Sequence, residues 1–126
     1  MIQNTEKSHL KTAESYYAHM LEKNFDAMAV CLHPEVQLIS PLATIHGKDS
    51  VVTAAKNFAQ ILQDIHIRSR FESGNQIMFA YDMVVPSPIG KFRAAVLMEF
   101  TNKLISKIEL FYDATPFQKK KSEIFE

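Results

Sequence analysis

After Gln63 the spacing of apolar side chains changes from about 3.6 residues to 2, and the new period persists to Asp113. Ile65, Ile67, Ser69 and Phe71 alternate with His66, Arg68 and Arg70. Ser73-Gly74-Asn75 supplies a turn, and Ile77, Phe79, Tyr81 and Met83 then alternate with Met78, Ala80, Asp82 and Val84. Pro86 to Gly90 makes a longer loop. Phe92, Ala94, Val96, Met98 and Phe100 mark the next strand, which turns at Thr101-Asn102-Lys103. Ile105 to Asp113 ends the series, with Ile108, Leu110 and Tyr112 on one side. In a strand, alternate side chains point to opposite faces, so each of these segments offers one apolar face that something must cover.

The first half of the chain supplies the cover. Leu10, Ala13, Tyr17, Met20 and Leu21 recur at helical steps, with Asn4 or Thr5 as a candidate cap. Asn24 opens a second helix, on which Phe25, Met28, Ala29 and Leu32 share a face. His33-Pro34 ends it, because the residue before a proline is pushed out of the α region. Val36 to Ile39 and Thr44 to Gly47 read as short extended pieces around Pro41, and a third helix follows with Val51, Ala55, Phe58, Ala59 and Leu62 buried. Helices gathered on one side of an antiparallel meander define an α+β domain. One domain is expected over residues 1–117, with a polar, solvated tail from 118 to 126 that carries Lys119, Lys120 and Lys121.

The totals exclude several classes. Acids and bases balance at 14 each, so no net field draws in nucleic acid or an anionic membrane. No apolar run reaches the ~18–20 residues of a membrane span. Met1 to Leu10 has neither the apolar core nor the cleavage site of a secretory signal, and Cys31 is the only cysteine, so no internal disulfide is possible. A cytoplasmic protein is the expectation. The five histidines show no metal-ligand spacing, and three glycines make no phosphate loop, so neither a metal nor a cofactor is expected.

Several short segments, taken in order, resemble a known superfamily. They are Tyr16-Tyr17, Asn24-Phe25-Asp26-Ala27-Met28, His33-Pro34-Glu35-Val36, Ile45-His46-Gly47-Lys48 and Ile108-Glu109-Leu110-Phe111-Tyr112-Asp113. Their order and spacing, over roughly residues 6 to 117, are similar to those of the nuclear transport factor 2-like proteins. That superfamily includes the ketosteroid isomerases and the SnoaL-like polyketide cyclases. The resemblance implies a cystatin-like cone of three N-terminal helices packed on a curved, mainly antiparallel sheet. Within it, Tyr16 falls where ketosteroid isomerase has its oxyanion tyrosine, Ser40 where it has its general-base aspartate, and Val96 where it has a protonated aspartate. The resemblance therefore implies the container and argues against that reaction, since proton abstraction needs a positioned base.

If Phe79, Tyr81 and Met83 face the helices, then Val96, Met98, Leu110 and Tyr112 do too. Tyr16, Met20, Leu32, Phe58 and Leu62 would cover them from the helical side. These side chains either line a small-molecule pocket or simply fill a core. Tyr16, Ser40, His46 and Asp82 are the candidate catalytic groups. Asp82 is out of phase with the inward set, so it either joins a sheet-face salt bridge to Arg68, Arg70 or Arg93 or turns inward if the register slips. His46 either supports the start of the third helix or acts in the site. His66, Arg68, Arg70, Met78, Ala80, Val84, Ala95 and Leu97 would lie on the convex face, whose apolar centre fits a homodimer contact. Two functions follow. One is binding of a small apolar or carbonyl-bearing molecule in an enclosed cone, with or without isomerase, cyclase or dehydratase chemistry. The other is a non-catalytic, dimeric protein-interaction module.

Overall fold

The computed structural model describes residues 8–125. Its first helix, α1 (His9–Glu22), is capped by Ser8, whose side chain accepts from the Lys11 backbone N–H at 3.1 Å. The caps suggested by Asn4 and Thr5 lie outside the described residues. Asn24 caps α2 (Phe25–Val30), as its sequence position implies.

Strand β1 (Leu32–Ile39) begins earlier than expected. Leu32 belongs to the strand and not to the second helix. His33-Pro34 does not stop the chain but offsets it: the register with β6 (Leu104–Tyr112) shifts between Leu32 and Gln37. Pro34 has no N–H to give a ladder, which is why the interruption falls there. β2 (Thr44–His46) returns antiparallel to β1. Gly47 then turns the chain at φ +96°, a conformation suited to glycine, into α3 (Lys48–Ala59). Three long strands follow, β3 (Asp64–Ser73), β4 (Gln76–Val84) and β5 (Lys91–Thr101). The sheet order is β2-β1-β6-β5-β4-β3, antiparallel except where β1 runs parallel to β6.

The inner face is as the alternation requires. Ile77 faces Met98, Phe79 faces Val96, Tyr81 faces Ala94 and Met83 faces Phe92 across β4 and β5, while Val96 faces Leu110 across β5 and β6. Nearly all of these side chains are buried under α1 and α3 in one core. β3 departs from the expectation. Its register shifts between Ile67 and Ser69, so Ile67 still faces Tyr81 but Arg70 faces Phe79 and Phe71 faces Met78. A bulge moves every later side chain to the opposite face. Arg70 therefore lies on the helix side, where its Nε donates to the Glu14 carboxylate of α1. Phe71 lies on the convex face, 64% exposed.

The solvated tail expected after Phe117 is not what the chain forms. A 3-10 turn (Thr115–Lys120) and a short helix, α4 (Lys121–Phe125), strap back over α3. Phe117 and Ile124 are buried, and the Asn57 side-chain amide donates to the Ile124 carbonyl at 3.1 Å. No described helix is long and apolar enough to cross a membrane.

Phe79 is fully buried and packs beside Tyr17 at 6.3 Å between ring centroids. Phe79→Ala is expected to destabilise the fold by about 3–5 kcal/mol in urea titrations. A loss under about 1 kcal/mol would place that ring on the solvent side of the sheet.

Candidate functional site

Under α1 and α3 the inner face does not close completely. A cavity of about 80 Å³ remains between the helices, β4, β5, β6 and the C-terminal strap. Its wall is built from alternate positions. β4 contributes Tyr81 and Met83, β5 contributes Phe92 and Ala94, and β6 contributes Ile108, Leu110 and Tyr112. From α1 come Tyr16, Tyr17 and Met20, and from α3 come Ala54, Ala55 and Phe58. Leu38 of β1, with Phe117, Ile124 and Phe125 of the strap, completes it.

Of the twelve side chains expected to line a pocket, seven border this cavity: Tyr16, Met20, Phe58, Tyr81, Met83, Leu110 and Tyr112. Leu32, Phe79, Val96 and Met98 are fully buried and Leu62 nearly so, all in solid core away from the cavity. They sit beyond the stretch where small residues leave space. Ala54, Ala55 and Ala94 are what keep the cavity open, because a larger side chain at any of them would project into it. Alternation places Ala94 on the inner face and helical spacing buries Ala55, but which inward positions border empty space and which border solid core is a weak sequence signal.

Among the described lining residues none is charged, and the polar groups are phenols. All four tyrosines of the chain contribute. The Tyr17 and Tyr81 hydroxyls lie 2.9 Å apart in a buried hydrogen bond, joining residues 64 positions apart in sequence. Their rings meet edge to face at 5.2 Å, and Tyr16 meets Tyr17 in the same way at 5.2 Å. Burial holds the Tyr16, Tyr17 and Tyr81 phenols well above the ordinary tyrosine range, and each adds to its neighbours' cost of ionising. The hydrogen bond between Tyr17 and Tyr81 opposes this at Tyr81 and adds to it at Tyr17, and either hydroxyl can be the donor. Tyr112 is shifted upward by burial and partly pulled back by its hydrogen bond with Ser40. At neutral pH the site therefore presents protonated O–H groups.

Three of the four candidate catalytic residues are not at the cavity wall. Ser40 sits at the end of β1, where its hydroxyl donates to the Ala43 carbonyl and accepts from the Leu42 and Ala43 N–H groups. It reaches the site only through Tyr112. His46 is on the outside of β2, 63% exposed, with Nε2 3.3 Å from Glu35 Oε1. Asp82 lies on the convex side, only 8% exposed, with Arg68 Nε at 3.2 Å and Lys91 Nζ at 3.7 Å. The register of β4 against β5 did not slip, and the carboxylate points away from the cone. Asp113, at the end of β6, accepts from the Thr115 N–H and so anchors the turn into the strap, which holds its carboxyl below the usual range. Among the described residues no three His, Cys, Asp or Glu side chains gather into a metal site.

A cone of helices on a curved sheet, with its apolar cavity between them, defines the nuclear transport factor 2-like class. Residues 13–108 match the SnoaL-like domain, and the chain belongs to that family. Solved structures agree on the fold. A protein from Kribbella flavida is similar at 22% identity over 90% of this chain and 93% of its own, with a TM-score of 0.81. A nuclear transport factor 2-like protein from Cytophaga hutchinsonii is similar at 16% identity over 91% and 98%, with a TM-score of 0.79. A steroid delta-isomerase from Pseudomonas aeruginosa is similar at 14% identity over 98% and 93%, with a TM-score of 0.76. No curated protein matches the chain in sequence.

The raised phenol pKa values predict an alkaline limit. A phenol whose folded pKa exceeds its unfolded value gives stability that is constant below about pH 10 and declines above it, as the unfolded chain sheds protons that the folded chain keeps. The slope is about 1.4 kcal/mol per pH unit for each buried phenol. In an absorbance titration of the folded protein, Tyr112 alone is expected to ionise, and the other three tyrosines only on unfolding. Free titration of all four below the unfolding pH would contradict the buried cluster.

Proposed function

We infer that the cone binds a small, uncharged, largely apolar molecule carrying a carbonyl or hydroxyl oxygen. The observation that carries this reading is the wall itself, apolar throughout and polar only where phenols converge. Sites of this composition orient a ligand with few hydrogen bonds and take most of their affinity from burial. A charged ligand would lose its hydration without meeting a counter-charge, which costs several kcal/mol. A carbonyl oxygen among Tyr16, Tyr81 and Tyr112 would instead accept an O–H bond. The same phenols polarise a carbonyl but, held protonated, do not remove a proton from the carbon beside it. The carboxylates that would do so in an isomerase are absent from this wall. Ligand binding is thus favoured over base-catalysed isomerisation, cyclisation or dehydration.

Naphthaldehyde and naphthoate test this directly, since they share a shape and differ in charge. At about a hundredfold excess over its dissociation constant, a ligand adds ~2.7 kcal/mol to folding stability. Naphthaldehyde is expected to raise the melting temperature by several degrees and naphthoate to leave it unchanged. Tyr16→Phe should weaken the aldehyde by about 1 kcal/mol. Equal stabilisation by both compounds, or by neither, would overturn the reading.

A second reading rests on the convex face. Phe71, Met78 and Phe111 are 64%, 37% and 44% exposed there, and Phe71 and Met78 face each other across β3 and β4. Large exposed apolar side chains grouped on one sheet face favour a partner surface, and a second copy of the chain fits a self-complementary sheet contact. Sedimentation at micromolar concentration is expected to give a dimer that Phe71→Asp with Phe111→Asp converts to monomer. A monomeric parent protein would reject it.

A further inference from the structure

The cavity is small for the role just assigned to it. Its 80 Å³ compares with about 150 Å³ for an apolar cavity that holds benzene and roughly 300 Å³ or more for a cofactor-sized ligand. Most of its wall belongs to the sheet, α1 and α3 and cannot move without breaking strand pairs or helix packing. The strap is different. Phe117 is rooted in a small cluster with Leu42 and Val85, and stacks edge to face on Phe92 at 4.9 Å and on Tyr112 at 5.5 Å. Among the described residues beyond Phe117, none pairs with a strand. Among the described residues, 118–125 is held to the body by the buried Ile124, the half-buried Phe125 and the Asn57 bond to the Ile124 carbonyl. A cleft of about 230 Å³ runs between this segment and α3, beside Gln60, Ile61 and Glu123. Elements with few buried contacts and loose packing open at a free energy well below that of global unfolding.

We propose that residues 118–125, pivoting on Phe117, form a displaceable plug whose Ile124 and Phe125 side chains occupy space a larger ligand takes, so that the plug sets the size of molecule the cone admits. The proposal rests on the ligand-binding reading above. With the plug seated, the space is smaller than a benzene ring needs, so a single ring enters only with small shifts of the surrounding side chains. A molecule of two or three rings must expel Ile124 and Phe125, and its apparent affinity is lowered by the scarcity of the open state. The polar remainder of the segment, including Lys119 and Lys121, loses nothing when it moves into water, since those side chains are already exposed.

The three lysines at 119–121 make the movement measurable with trypsin on the full chain. Cleavage there, read by mass spectrometry, is expected to be at least ~100-fold faster than at Lys91 or Arg93 within β5. Naphthol is expected to accelerate it by holding the plug out. The full-length double variant Ile124→Ala with Phe125→Ala should bind naphthol and fluorenone about tenfold more tightly than the parent, with cresol changed less than about threefold. Cleavage at 119–121 only under conditions that unfold the whole chain would overturn the plug and leave the binding reading standing. So would equal gains for all three probes. Rapid cleavage with no probe taken up by either protein would overturn the binding reading, and the size gate with it.

Discussion

The pairing of β4 with β5 aims almost every side chain that matters in this molecule. One register sets Phe79 against Val96, Tyr81 against Ala94 and Met83 against Phe92. Because the strand period is 2, the same register sends Asp82 to the far side of the sheet, beside Arg68 and Lys91. A slip of one residue would exchange the two faces, placing a carboxylate in the cone and the phenol of Tyr81 in water. The fold is held against that slip by the burial of Ile77, Phe79, Tyr81, Val96 and Met98, each fully removed from solvent. At roughly 1.5–3 kcal/mol for each such side chain, the alternative register is out of reach.

The chemistry of the cavity follows from that choice. At the two positions where the resemblance to ketosteroid isomerase implies carboxylates, this chain has Ser40, engaged in a backbone turn, and Val96, in solid core. What remains is a cluster of phenols around Tyr81, joined to Tyr17 by a hydrogen bond and held neutral by burial. Such groups donate hydrogen bonds and accept ring contacts, which suits recognition of an uncharged oxygen at the end of an apolar body.

Much of this architecture was legible in the sequence, for physical reasons. Strand alternation is a strong signal wherever one face is buried, so the inner faces of β4, β5 and β6 could be assigned residue by residue. The bulge in β3 could not, because the insertion at Arg68 leaves no compositional mark, and its effect on Arg70 and Phe71 depends on the partner strand. The Tyr17–Tyr81 bond joins two elements far apart in the chain, which no local pattern reveals. The strap is not legible because its polarity is that of a tail: Ile124 and Phe125 are two adjacent apolar residues in an otherwise polar and charged segment, too few to show a period. The distinction between cavity and core was also illegible, since it depends on where alanines, and not large residues, meet across three elements.

Methyl resonances of the methionines give the most direct test of where a ligand sits. Met20 and Met83 line the cavity, Met98 lies in solid core and Met78 is on the convex face. On titration with naphthaldehyde, the account predicts that the Met20 and Met83 methyl signals move together and saturate while Met78 stays fixed. Movement of Met78 alone, or silence at both Met20 and Met83, would contradict it.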